Sequence, residues 1–489
     1  MRNILYICGQ IKRIMVGRKQ EYASLQRSFD SNKAEITVVY GRRRVGKTFL
    51  INEFFSNSYA FKHTAVSPVG RKKAGLMKIQ LQEFFYSLKS YGLDSDIPCP
   101  TSWTEAFHLL QELLDKKYDG SKQVIFIDEL PWMDTPRANF LSAFEHFCND
   151  WCLARKYVKL IVCGSATSWI IDRVIDSKGG LYGRVTSRIY VKPFTLKECR
   201  EYFVSEGFRM DNYDIMLCYM AFGGIPYYLS QLRSDLSVAQ NIDATLFDKE
   251  GSLADEFDRL FQSQFTNPDM LKEIVTLVGS KRCGLTRDEI LRGIKQLSGG
   301  TFSDSLQALE KSRFISSYIP FGETEKKYRL SDLFCYFHLH HVKKNAGNKT
   351  YWQNNSNSAA MNSWLGLAFE EVVFSHIDQV KHALGISGVV TRESSWAVNG
   401  DDESPGMQID LIIDRDDRVL NICEVKYSHK EFSVNGSYAR AIDDRIEKIS
   451  ERIGGKGTIV SVLITTYGLR HNEYSGRFPK VITMEDFFD

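Results

Sequence analysis

Little in this sequence belongs to an extreme class. Its net charge is only +3, too small for a general polyanion-binding surface, so any basic face has to be local. The ten cysteines include no Cys-x-x-Cys pair and form no regular framework. That excludes a disulfide scaffold and favours reduced, mostly buried thiols and a cytoplasmic address. No apolar run reaches the roughly 20 residues needed to cross a bilayer, so no membrane partner is expected. The start of the chain is a poor signal peptide. The run Ile4–Cys8 is short, Gln10, Lys12 and Arg13 interrupt it, and no small-residue cleavage site follows. Residues 1–14 therefore read as an N-terminal extension, with Met15 the alternative to Met1 as initiator. What is present is an ordinary globular balance, 43% hydrophobic and 25% charged over 489 residues, enough for about two to four domains.

One stretch organises the rest. The apolar run Ile36–Tyr40 leads into Gly41-Arg42-Arg43-Arg44-Val45-Gly46-Lys47-Thr48, and Phe49 to Phe55 continue as a helical pattern. Strand, glycine-bounded loop and helix at the spacing G-x-x-x-x-G-K-[ST] make a phosphate-binding loop. Gly41 and Gly46 let the backbone turn tightly, so that successive N–H groups face a polyphosphate. The helix N-terminus directs its positive dipole end to the same point. Lys47 supplies a mobile cation for the β- and γ-phosphates of ATP, and the Thr48 hydroxyl can ligate Mg2+.

Downstream, Val124–Ile127 form an apolar run ending in Asp128-Glu129, as a buried parallel strand does where its carboxyl end meets a ligand. Asp128 would hold Mg2+ through water beside Thr48, and Glu129 is suited to polarise the attacking water. Lys159–Cys163 predict a further strand, ending at Gly164-Ser165-Ala166-Thr167-Ser168. Ser165 is either a γ-phosphate sensor or part of a helix cap. Arg184, with Arg188 in reserve, stands before the last core strand. It is either an arginine finger reaching a neighbouring subunit on ATP-dependent self-association or a surface ion pair.

From Leu271 the pattern changes. Leu271, Ile274, Val275 and Val278 share a helical face, and Thr286 with Glu289 reads as a capping box. Thr301–Lys311 predict another helix, and Phe314–Ile319 with Lys327–Leu330 predict a hairpin around Gly322. Three helices and a hairpin describe a winged helix-turn-helix. Its second motif helix offers Ser303, Asp304, Ser305 and Gln307 rather than a basic stripe, so DNA contact and protein docking both stand open. His338, His340 and His341 lack ligand spacing and read as part of an aromatic packing helix. Asn345–Ala359 is Asn/Ser-rich, as a linker is. Beyond it come a helix from Trp364 to Ile377 and two strands, Gln408–Asp414 and Val419–Lys426, paired across the turn Arg415–Arg418. The two-residue period sets Glu424 and Lys426 on one face.

Gly17-Arg18-x-x-Glu21, the loop at Gly41–Thr48, Asp128-Glu129, Gly164-Ser165, Gly183-Arg184 and Gly223-Gly224-Ile225-Pro226 come in the order of one family. The chain resembles the archaeal-type ATPases, a branch of the AAA+/STAND P-loop proteins. The resemblance implies an α/β parallel sheet with a helical lid, then the winged helix. It puts Gly17 and Arg18 near the adenine and has Pro226, after Gly224, bring the lid onto the nucleotide. The loop from Gly41 to Phe49 would form the nucleotide cradle, with Arg42, Arg43 and Arg44 expected to be exposed. The C-terminal part resembles the PD-(D/E)xK nucleases, an α/β restriction-endonuclease-like domain. Asp410 and Glu424 would hold Mg2+, Lys426 would orient water, and Glu370 would complete the site; Ile409 stands where the nominal motif has Pro. A solvated strand end with an ion pair is the other reading of these residues. The expected domains are 15–195 (ATPase core), 196–255 (lid), 256–344 (winged helix), 345–359 (linker) and 360–489 (nuclease-like). The expected partners are nucleotide and nucleic acid.

Overall fold

The computed structural model describes residues 5–7, 10–12, 16–72, 74–165, 167–265, 267–294, 299–398 and 406–489. Met1, Met15 and Ala166 lie outside them. The chain divides into two compact units, residues 1–193 with 258–268, and residues 194–257 with 269–489.

In the first unit, strands β1 (Leu5–Ile7) and β2 (Gln10–Lys12) pair as a short antiparallel hairpin. The main sheet has β3 (Glu35–Tyr40), β4 (Phe61–Thr64), β5 (Gln123–Asp128), β6 (Val158–Gly164) and β7 (Ser187–Tyr190) in the order β4-β5-β6-β3-β7. Every pairing in it is parallel. Strands β5 and β6 are buried along their whole length, which explains runs such as Val124–Ile127 and Leu160–Cys163. A parallel strand covered on both faces has no polar side to alternate with. On one side of the sheet the core is rich in rings, with Phe61, Phe84, Trp103, Phe107, Phe140, Phe144 and Phe147 all buried. Because all five strands run the same way, their carboxyl ends share one edge. Such an edge is where open α/β sheets bind ligands.

The second unit holds two sheets. Strands β8 (Leu285–Thr286), β9 (Ile315–Tyr318) and β10 (Lys327–Leu330) form an antiparallel sheet in the order β8-β10-β9. Helices Pro268–Gly279, Arg287–Gly293 and Gly299–Lys311 accompany it. The Thr286–Glu289 capping box is formed in full. On helix Gly299–Lys311, Ser303, Asp304 and Gln307 face solvent, whereas Ser305 is buried and donates to the Thr301 carbonyl at 2.8 Å.

The larger sheet has β11 (Thr391–Val398), β12 (Met407–Arg415), β13 (Val419–Lys426), β14 (Thr458–Thr465) and β15 (Lys480–Ile482), adjacent in that order. The first three are antiparallel and the last three parallel. Helices Ala359–Ser375 and Gly436–Arg452 belong to this part of the chain. The polar segment 345–359 is more ordered than its composition suggests. It contains helix Tyr351–Asn355, whose Trp352 and Gln353 amides donate to the buried Asp243 carboxylate at 2.7 and 3.1 Å. His341 packs among Phe337, Trp352 and Trp364, and burial lowers its pKa to about 4.

Candidate nucleotide site and C-terminal carboxylate site

The phosphate loop leaves β3 at Gly41, whose φ is +147°. A Cβ there would stand 2.4 Å from the Val191 carbonyl oxygen, so only glycine lets the loop pass the chain beyond β7. Gly46, at φ +91°, turns the chain into helix Lys47–Phe55. Lys47 is buried, and its Nζ donates to the carbonyls of Gly41 (3.0 Å) and Arg42 (2.9 Å). A buried ammonium needs such partners, and here they fold the side chain back over its own loop.

Arg18 braces the loop from outside. Its buried guanidinium donates to the Val45 carbonyl at 2.8 Å and the Lys192 carbonyl at 2.6 Å, with Glu21 at 3.4 Å. Gly17 and Arg18 both have positive φ, and helix Lys19–Asp30 starts directly after them. The expectation of exposed loop arginines needs correction. Arg42 is 4% exposed, and Arg43 and Arg44 are half-buried. With Lys47 and Arg18 both bonded to loop carbonyls, the loop is drawn inward, and its first arginine with it. Phe49 stays 58% exposed on the first helical turn.

Thr48 Oγ1 donates to Asp128 Oδ2 at 2.8 Å. These are hard oxygen donors from two neighbouring elements, and they fit Mg2+. Glu129 has left-handed backbone, φ +52°, which turns its side chain away from the strand alternation. Its Oε2 accepts from the Ser165 amide (3.0 Å) and hydroxyl (2.9 Å). Burial raises the Glu129 pKa against the charge of Lys47, and Asp128 adds to the rise. Ser165 therefore touches Glu129 and is itself buried. Arg184 is exposed, its amide closing a turn on the Leu181 carbonyl at 3.0 Å, beside Tyr182 at 75% exposure. Arg188 donates to the Ile175 carbonyl at 3.4 Å. Pro226 opens helix Pro226–Leu229 in the second unit. There Gly224 has φ +66°, and a Cβ on it would meet the Phe194 carbonyl oxygen at 2.4 Å.

In the C-terminal sheet, Asp410 on β12 and Glu424 and Lys426 on β13 come together. Lys426 Nζ lies 3.3 Å from Asp410 Oδ2 and 3.4 Å from Glu424 Oε2. Asp410 Oδ2 also accepts from the Val425 amide at 3.0 Å. Glu424 is 3% exposed and accepts from Arg445 at 3.0 Å and the Tyr438 hydroxyl at 2.8 Å. Arg282 reaches in from the turn after helix Pro268–Gly279, bonding Glu370 closely and lying 3.1 Å from Asp410 Oδ1. Burial and the Asp410 charge push the Glu370 pKa up to about 7, against the pull of Arg282. As donors these carboxylates suit a hard divalent ion, but the cations between them are the chain's own. Among the described residues no group of three or more His, Cys, Asp or Glu is gathered as a metal site.

Three residues here escape a reading of the sequence. Tyr438 and Arg445 stand seven apart, hence on one face of helix Gly436–Arg452, and that spacing was a usable signal. Arg282 gave none, because it lies 128 positions from Asp410.

Residues 15–232 match a family described as an ATPase domain predominantly from Archaea. An uncharacterized protein of Methanocaldococcus jannaschii is 26% identical over 425 residues, covering 85% of this chain and 88% of that protein. An uncharacterized ATP-binding protein of the same organism is 50% identical over 44 residues, 9% of this chain and 75% of that one. Among solved structures, a Walker-type ATPase of Pyrococcus abyssi aligns over 66% of this chain and 96% of its own, at 18% identity and a TM-score of 0.44. No helix among the described residues is long and apolar enough to cross a membrane.

Arg18→Ala tests the loop brace. Losing hydrogen bonds from a buried charged group to two carbonyls is expected to cost about 1.5–3 kcal/mol and to lower the thermal midpoint. Arg18→Lys should recover less than half of the loss, because a single ammonium lacks the guanidinium's fork. A midpoint unchanged in Arg18→Ala would remove the brace.

Proposed function

We propose that the chain, whose residues 15–232 match an ATPase domain family predominantly from Archaea, binds and hydrolyses ATP with Mg2+, its nucleotide state controlling the C-terminal module. The observation that carries this reading is the shared edge of β3 and β5, where Lys47, Thr48, Asp128 and Glu129 meet around one loop. Bound Mg·ATP supplies the phosphoanhydride to be broken and the charge that Lys47 and the loop amides stabilise. Lys47 turns from its own carbonyls to phosphate oxygens, while Thr48 and Asp128 hold Mg2+. Glu129 takes a proton from the attacking water, and its raised pKa makes it a better base than an ordinary carboxylate. Ser165, bonded to Glu129, positions that carboxylate. On this reading Gly17 and Arg18 border the adenine side, and Pro226 belongs to the helical lid that the resemblance implies. Arg184, exposed beside Tyr182, is available to a second copy of the chain. A cytoplasmic address is part of the reading, supported by buried free cysteines such as Cys148, Cys163 and Cys423.

Two readings of the C-terminal module are kept. The order Asp410, then Glu424-x-Lys426, with Glu370 on the preceding helix, supports a Mg2+-dependent nuclease-like module acting on nucleic acid, with the winged helix-turn-helix of 256–344 as its reader. The cations already seated on these carboxylates favour a catalytically silent module in an ATP-dependent switch.

Lys47→Ala is expected to abolish binding of a fluorescent ATP analogue, and unaltered affinity would remove the loop from this role. Glu129→Gln should still bind it while turnover falls by about 10²–10⁴-fold, and unchanged turnover would dismiss Glu129 as the base. The raised pKa also sets a sign. Turnover needs the ionised carboxylate, so it should fall as pH drops, with its midpoint above the ordinary carboxylate range. Metal-dependent nicking of plasmid that disappears in Asp410→Ala and Lys426→Ala would support the nuclease reading. Nicking that persists in both would exclude these residues.

A further inference from the structure

Arg282 joins the middle module to the C-terminal carboxylates Glu370 and Asp410, and it is presented by a fixed loop. The Tyr318 hydroxyl holds the Cys283 carbonyl at 2.8 Å. Gly284 has φ +67°, and a Cβ there would meet the Tyr328 carbonyl oxygen at 2.6 Å. The guanidinium thus projects from a braced turn into a cavity of about 170 Å³, lined among others by Arg329, Tyr336, Phe374 and Trp396. Its side chain keeps 43% of its exposure, whereas Glu370 keeps 15% and Asp410 5%. Asp410 is buried, Glu370 is largely covered and the cation is the solvent-facing part, an arrangement that lets the cation leave while the acids stay. A second ion pair lies next to it, Arg329 with Glu371 at 3.3 Å, and Arg329 also covers the Phe374 ring at 3.5 Å. This neighbouring contact tethers the modules without touching Asp410.

We propose that Arg282 is an internal gate: its guanidinium occupies the place between Glu370 and Asp410 that a divalent cation would need, and the carboxylates become available only when the 280–284 turn withdraws. The inference rests on the reading of Asp410 as a metal ligand, and it adds the element that keeps that site closed at rest. Coulomb's law supplies the exclusion, since a second cation beside the guanidinium is repelled and finds its oxygens already used. Withdrawal of the turn is the step that a nucleotide-driven motion of the middle module would have to produce.

The test titrates Mn2+ into the nucleotide-free full-length chain, with free Mn2+ read by electron paramagnetic resonance. It compares the natural protein, Arg282→Ala and Arg282→Gln, each checked for folding by circular dichroism. Arg282→Gln keeps most of the side-chain bulk if the alanine variant fails to fold. Both substitutions are expected to tighten Mn2+ binding by about tenfold or more, and adding Asp410→Asn should abolish the gain. Asp410-dependent binding equally tight in the natural protein would overturn the gate and leave the metal reading standing. No Asp410-dependent binding in any variant would overturn the metal reading, and the gate with it.

Discussion

A lysine ammonium held away from water by two backbone carbonyls is the constraint from which the nucleotide unit is built. Lys47 is satisfied by Gly41 and Arg42, and that is possible only if the loop curls so that those carbonyls converge. The curl needs Gly41 where any Cβ would strike Val191, and it needs Gly46 to re-enter a helix with positive φ. Arg18 then fixes the outer rim. The loop accordingly has its shape before any phosphate arrives, so little ordering cost remains to be met on binding. The carboxyl ends of β5 and β6 follow from the same arrangement, since Asp128 meets Thr48 and Ser165 meets Glu129 only when β3 lies beside β6 and β6 beside β5.

The same electrostatic rule governs the C-terminal sheet with a different outcome. Burying carboxylates such as Asp410 and Glu424 is costly unless they are paired. The chain answers with Lys426 between them, Arg445 on one flank and Arg282 on the other. In the nucleotide unit the buried cation rests on neutral carbonyls, which a phosphate can outbid. In the C-terminal unit the buried acids rest on full charges, which a ligand has to displace.

Much of this was legible because it is local. The phosphate loop, the wholly buried strand Val124–Ile127, the capping box at Thr286 and Glu289 and the pairing of β12 with β13 each rest on residues within a short window. Period, turn chemistry and capping act at that range. The parallel sheet followed from strands that alternate with helices. The burial of Arg42 was not legible, because it depends on Lys47 and Arg18 drawing the loop inward. Nor was Arg282, whose partners lie far along the chain, and spacing carries no signal for such a contact. The linker-like 345–359 misled through composition alone, since its helix is held by Asp243, about a hundred residues earlier.

The central claim is that the amides from Gly41 to Thr48 enclose a nucleoside triphosphate. Hydrogen exchange at those amides, with and without saturating Mg2+ and a non-hydrolysable ATP analogue, tests it most directly. The account predicts slowing by about tenfold or more across the loop, absent in Lys47→Ala. Exchange that stays unchanged in the natural protein with the analogue present would contradict it.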